Sequence, residues 1–123
     1  MTQFRNIDTK REDGCYVRFE RVIYDDAHAD PQDTLFQDND YAAEDQARLD
    51  AYNRGDWSFI GVVARAHILF VENGRGTIAN IESAGVWGIE SDSGEDYLNE
   101  VFAGEKTNLA RMLAALHCYV EED

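Results

Sequence analysis

The chain has 123 residues, of which 25 are acidic and 11 are basic, so its formal net charge at pH 7 is −14. This charge opposes binding to nucleic acid and to anionic membranes, and it favours basic surfaces as partners. Because 44% of the residues are hydrophobic, the chain can bury a core. We therefore expect one folded domain over residues 1–123 rather than a disordered chain.

Residues 15–24 form the first predicted element. Apolar and polar side chains alternate there, which is typical of a half-buried strand. Residues 25–38 follow as a long acidic connection that contains the only proline, Pro31.

A helix is predicted over residues 40–56. The stretch is rich in alanine, and Gly55 is a natural helix stop. Asn39 and Asp40 are the candidate N-caps, and acidic residues in the first turn suit the helix dipole.

Residues 57–71 and 77–89 are predicted to form a β-hairpin around the turn signal Asn73-Gly74. Gly85 and Gly88 should loosen the second strand, as at a bulge. One face of the first strand is continuously apolar, with Ile60, Val62, Ala64, Ala66, Ile68 and Phe70.

The last predicted element is an amphipathic helix capped by Asp92 or Ser93, with Glu95 or Asp96 closing a capping box. Its apolar positions recur at helical spacing: Leu98, Val101, Phe102, Leu109, Met112, Leu113 and Leu116. The element order is therefore β-α-β-β-α. We predict an α+β fold, in which two helices pack on one face of a small antiparallel sheet.

The two cysteines, Cys15 and Cys118, stand near opposite ends of the chain. With no signal-peptide pattern in the first residues and no apolar run that could span a bilayer, we expect both thiols to be reduced and the protein to be cytoplasmic.

Catalytic and metal sites find little support in the sequence. The acids after Glu90 fail the EF-hand pattern, because Val101 stands where the loop needs glutamate. A carboxylate pair for glycoside hydrolysis requires a buried acid, whereas these acids lie in polar runs. His67 fits a hydrogen-bonded strand residue. We expect no enzyme activity, no metal and no cofactor.

The tryptophans, Trp57 and Trp87, allow two interpretations. Each can anchor the sheet against a helix, as large buried aromatics do. Each can also present an exposed ring beside the acids, because interfaces favour tryptophan.

Residues 83–101, with the sequence SAGVWGIESDSGEDYLNEV, resemble a block of the type SGGLWGIESDSD..Y..EV. That block is typical of a family of small, largely uncharacterised proteins from phages and mobile elements. The resemblance extends over about residues 40 to 118. Ala84 and Val86 depart from the family pattern. The resemblance implies a mobile-element setting, in which small acidic proteins often inhibit host defence systems.

Charge and resemblance together predict an inhibitor of the anti-CRISPR or anti-restriction type. Its partner would be a basic nucleic-acid-binding host protein, a nuclease or surveillance complex, which the inhibitor could bind as a DNA mimic. It would bind neither nucleic acid nor membrane directly. The alternative is a non-catalytic interaction or homodimerising module whose acidity only serves solubility. The predicted partner-binding residues are Asp38, Asp40, Glu44, Asp45, Trp57, Glu90, Asp92, Glu95, Asp96 and Glu100.

Overall fold

The structure of the protein is a computed structural model that describes Phe4, residues 11–33, Leu35 and residues 42–121. Asp38 and Asp40 lie outside the described residues, as does most of the predicted connection after Asp33. The elements are, in chain order, β1 (Gly14–Asp25), a 3-10 turn (Pro31–Asp33), α1 (Ala42–Asn53), β2 (Phe59–Glu72), β3 (Arg75–Glu82), β4 (Val86–Glu90), α2 (Glu95–Leu113), a second 3-10 turn (Ala114–Leu116) and β5 (Tyr119–Glu121).

The predicted α+β class is confirmed, but the sheet is mixed rather than purely antiparallel. Its strand order is β3-β2-β1-β5, and β4 also pairs with β2. The long central strand β2 is antiparallel to β1, β3 and β4, whereas β5 runs parallel to β1. The sequence did not indicate β5, because three residues are too few to show alternation.

The core lies between α2 and the face of β2 that was predicted to be apolar. Ala64 and Ala66 are fully buried, and their small side chains let α2 approach the sheet. The strand residues Ile60, Val62 and Ile68 pack there with the helix residues Leu98, Leu109 and Leu113. Nearly all of β2 is buried, on both faces of the strand, whereas Phe70 of the predicted apolar face is 38% exposed.

α1 packs on the sheet less extensively than predicted. None of its residues is buried, and it contacts the sheet through Tyr52, whose ring lies against Trp57 and against Phe59 of β2. It ends as predicted at Gly55, which has a φ of 84°. The Gly55 amide donates to the carbonyl of Tyr52, and the Asp56 amide to that of Ala51, in the pattern of a Schellman motif.

The Asn73-Gly74 turn joins β2 to β3 as predicted. Both residues have positive φ, 52° and 77°, as a type I′ hairpin requires. The predicted return strand 77–89 does not continue as one element. It breaks after Glu82, and Gly85 with a φ of 87° begins the approach to β4.

The predicted capping box at the start of α2 does not form. The N-cap is Gly94, which provides no side-chain hydrogen bond. The Ser93 hydroxyl donates instead to the carbonyl of Glu90. Asp92 and Glu95 form ion pairs with arginines from distant parts of the chain, Arg48 and Arg21 respectively. Long-range ion pairs have therefore replaced a local cap.

Cys15 and Cys118, predicted to be reduced, form a disulfide. The reason is the parallel pairing of β5 with β1, which places Tyr119 beside Tyr16. The residues that precede this pair are the two cysteines, and their Cα atoms lie 4.4 Å apart. The bond removes the argument for a cytoplasmic location that rested on free thiols. Among the described residues, no helix is long and apolar enough to cross a membrane.

The disulfide closes a loop with a sequence separation of 103 residues. We predict that the double variant Cys15→Ala/Cys118→Ala unfolds with a free energy lower by about 2–4 kcal/mol, because its unfolded chain is less restricted. Urea unfolding of the oxidised wild type, the reduced wild type and the variant measures this. The reduced wild type and the double variant, which both lack the disulfide, should have the same free energy of unfolding. Equal stability of the oxidised and reduced wild type would contradict the prediction.

Candidate partner-binding surface

Arg48 of α1 binds two of the predicted site residues. Its Nη1 and Nη2 donate to the two carboxylate oxygens of Asp92 at 2.7 and 2.6 Å. Its Nε and Nη2 donate to Oε1 of Glu90 at 3.0 and 2.8 Å. The planar guanidinium thus joins α1 to the turn between β4 and α2, and its bidentate geometry fixes both carboxylates.

Trp57 lies directly beneath this guanidinium. The guanidinium carbon is 3.8 Å from the centre of the tryptophan ring, a cation–π contact. The Trp57 Nε1 donates to the backbone carbonyl of Arg48 at 3.0 Å, and the ring makes an edge contact with Phe59. We call Arg48, Trp57, Glu90 and Asp92 the Arg48 cluster.

Trp57 is only 3% exposed, so it cannot serve as the exposed partner anchor that was predicted. The alternative interpretation is the one that the structure supports: the Trp57 ring anchors α1 to the sheet through its contacts with Arg48. Sequence alone did not distinguish the two, because the residue that covers the ring lies nine positions away in another element.

The ion pair between Arg48 and Asp92 shifts the pKa values of both groups. The hydrogen bonds from Arg48 hold the pKa of the Asp92 carboxyl below its usual range. The same contacts raise the pKa of the Arg48 guanidinium, chiefly through Asp92. Arg48 and Asp92 are therefore both ionised at neutral pH.

The cluster brings together two acidic segments that are separate in sequence. Glu44 and Asp45 lie one helical turn before Arg48, on the side of α1 that Arg48 occupies. Glu90 and Asp92 lie on the other side of the guanidinium. Arg48 thus brings the helix that carries Glu44 and Asp45 against Glu90 and Asp92.

The acids of α2 divide into two groups. Glu95 is paired with Arg21 of β1, whose guanidinium also donates to the Asn99 side chain. Asp96 and Glu100 are exposed on the side of the helix opposite the buried Leu98. They make no ion pair with any residue in the described part of the chain.

Guanidiniums therefore offset only part of the charge of this surface. Segments 42–56 and 90–100 contain nine carboxylates and two arginines, and Arg21 adds a third guanidinium from β1. We call these two segments the acidic surface. The arginines hold individual carboxylates in place, while the surface as a whole stays negative.

Of the two tryptophans, Trp87 is the exposed one, and it was not among the predicted partner-binding residues. Its side chain is 46% exposed, as is that of Tyr97. A groove of about 480 Å³ lies between the two rings and is also lined by Glu90 and Ser93. One residue could have indicated this position of Trp87: Gly61 lies within a β-branched strand, where a glycine often marks the close approach of another group.

His67 is a buried, hydrogen-bonded strand residue, as predicted. Its Nε2 lies 2.7 Å from a carboxylate oxygen of Glu20. Within the described ranges, no three histidine, cysteine, aspartate or glutamate side chains converge as a metal site would require. The cation between Glu90 and Asp92 is the Arg48 guanidinium.

Comparisons with protein-family profiles, with curated protein sequences and with solved structures found no match to this chain. The resemblance of residues 83–101 to phage and mobile-element proteins therefore stays a prediction.

The lowered pKa of Asp92 makes the contribution of Arg48 to stability depend on pH. Because the folded state favours the ionised carboxyl, this contribution is complete above the unfolded-state pKa of about 3.9 and is lost as the pH falls through the lower folded-state value. We predict that Arg48→Gln is less stable than the wild type at pH 7, and that the difference shrinks below about pH 4.

Urea unfolding between pH 2.5 and 7 measures this difference. Arg54→Gln is the matched control, because Arg54 pairs only with exposed Asp56 within the described residues. The free energy of unfolding of Arg54→Gln should depend on pH in the same way as that of the wild type. If the free energies of unfolding of the wild type and Arg48→Gln differ by the same amount down to pH 2.5, the assigned role of Asp92 is contradicted.

Proposed function

We propose that the protein is a non-catalytic phage or mobile-element inhibitor of a host defence system. Its acidic surface would bind the basic, nucleic-acid-binding surface of a nuclease or surveillance complex. The observation that supports this most is the Arg48 cluster, which joins the acids of α1 to those of the β4–α2 turn. Carboxylates outnumber guanidiniums on the joined segments, and complementary charge speeds the encounter with a basic partner.

DNA mimicry enters the proposal in a restricted form. Duplex DNA presents about one negative charge per 1.7 Å of its axis, and its phosphates are open to a protein's cations. Here Glu90, Asp92 and Glu95 already bind guanidiniums. The exposed acids Asp96 and Glu100 are therefore the residues proposed to face the partner's lysines and arginines.

The phage setting in this proposal comes from the resemblance of residues 83–101. The cytoplasm, where host nucleases act, is the proposed location. Thiols there are kept reduced. The proposal therefore requires the fold to persist without the Cys15–Cys118 bond.

A homodimer or ordinary interaction module is the second candidate, and the sheet edge favours it. β3 is an outer strand that pairs with β2 on one side only among the described strands. An unpaired edge can add a strand from another chain. Such binding would depend little on salt, whereas binding through the acidic surface should weaken as salt screens the charges.

The test is capture of host proteins by the immobilised protein at low and high salt. We predict that it captures a basic nucleic-acid-binding protein, that duplex DNA competes for this partner, and that Asp96→Lys/Glu100→Lys weakens capture about tenfold or more at low salt. Circular dichroism should show an unchanged fold.

The matched control is Glu12→Lys/Glu72→Lys, which changes the net charge equally. Both residues are exposed at the β2–β3 hairpin end of the sheet, whereas α2 begins at the opposite end of β2. The control should capture as well as the wild type. Equal losses in both variants would indicate attraction by overall charge only, and no loss in either would contradict the proposal.

A further inference from the structure

Trp87 is held rigidly on the sheet surface. Its ring stacks on Tyr24, with the ring centres 6.1 Å apart and the planes 17° apart. It also lies against the backbone of Gly61, where an added Cβ would come within 2.2 Å of the ring. The indole Nε1 donates to the carbonyl of Ala84. The orientation of the ring is therefore fixed before any partner arrives.

Tyr24 is itself fixed by charged neighbours. Its hydroxyl donates to Glu82 at 2.6 Å and accepts from Arg65 at 2.9 Å. These hydrogen bonds lower the pKa of the Glu82 carboxyl, with the bond from Tyr24 contributing most. The support beneath Trp87 is thus a hydrogen-bonded network, and the ring is a preorganised surface.

The exposed part of the indole separates two grooves with acidic linings. One, of about 680 Å³, is lined by Asp25, Asp26 and His28. The other is the groove that Trp87 shares with Tyr97 and Glu90. Neither groove is lined by a lysine or an arginine from the described part of the chain.

The two aspartates of the first groove differ in their roles. Asp26 accepts hydrogen bonds from the backbone amides of His28 and Gly88, so it fixes the shape of the groove. Asp25 is exposed, and no ion pair engages it within the described residues. Its charge is therefore available to a ligand.

We propose that Trp87 is the anchor of the partner-binding surface, and that its occupant is an arginine or lysine side chain of the partner protein. This inference rests on the proposed function and names the group that the surface would bind. A cation is attracted to the face of an indole, and its alkyl stem can pack on the ring. The exposed Asp25 carboxylate beside the ring would then bind the charged head.

The first test uses acetyl-Gly-Arg-Gly-amide and the same peptide with citrulline, which has the shape of arginine without its charge. Indole N–H resonances of the protein are followed by NMR, and the Trp87→Ala variant identifies the Trp87 signal. The arginine peptide should shift the Trp87 signal saturably and leave that of buried Trp57 unchanged. Equal shifts with both peptides would overturn the proposal.

Asp25→Asn provides a second variant that leaves the packing of Trp87 intact. We expect it to weaken binding of the arginine peptide about threefold or more, since a nearby carboxylate is lost. Glu72→Gln, an exposed acid at the other end of β2, should bind the peptide as the wild type does. Equal binding by Asp25→Asn and the wild type would contradict the assigned role of this groove.

Capture of the host partner separates this inference from the proposed function. Trp87→Ala should lose about tenfold or more in affinity, as truncation of an interface tryptophan does. Tyr119→Ala, which removes another exposed aromatic side chain, should bind the partner as the wild type does. If capture depends on Asp96 and Glu100 but not on Trp87, only the anchor is wrong. If capture is independent of the acids, the proposed function fails whatever the peptide result.

Discussion

The contact between Arg48 and its three partners determines where α1 lies. Because no residue of α1 is buried, hydrophobic packing of its own face contributes little to holding the helix. Its side-chain contacts include Arg48, which stacks on Trp57 and binds Glu90 and Asp92, and Tyr52, which contacts the rings of Trp57 and Phe59. The cation–π contact and the bidentate geometry distinguish this ion pair from an ordinary exposed salt bridge.

The same contact has two opposite consequences for the surface charge. It engages the carboxylates of Glu90 and Asp92, which makes the surface less like a bare phosphate backbone. It also joins two acidic segments that are about forty residues apart in sequence, since Arg48 and Glu90 are separated by 42 positions. Because the two segments contain nine carboxylates against three guanidiniums that pair with them, their net charge stays negative. We therefore interpret the acidic surface as a positioned array with exposed aromatic rings beside it.

Local patterns predicted the long strands and one hairpin turn and failed for contacts between distant residues. The strand β2, the Asn73-Gly74 turn and the stop at Gly55 each depend on a few neighbouring residues, and all three were found where the sequence placed them. The disulfide, by contrast, depends on the pairing of β5 with β1. The roles of the two tryptophans depend on whether Arg48 covers one and Gly61 makes room for the other. No periodicity encodes such contacts, so the sequence left the choice between buried and exposed rings open.

Hydrogen exchange of the α1 amides tests most directly whether Arg48 holds this helix in place. If it does, Arg48→Gln should increase exchange of these amides about tenfold or more while the central amides of β2 keep their protection, because local opening of α1 would not require global unfolding. Arg54→Gln, which removes an arginine from the turn that follows the same helix, should exchange like the wild type. Unchanged protection of α1 in Arg48→Gln would contradict the account.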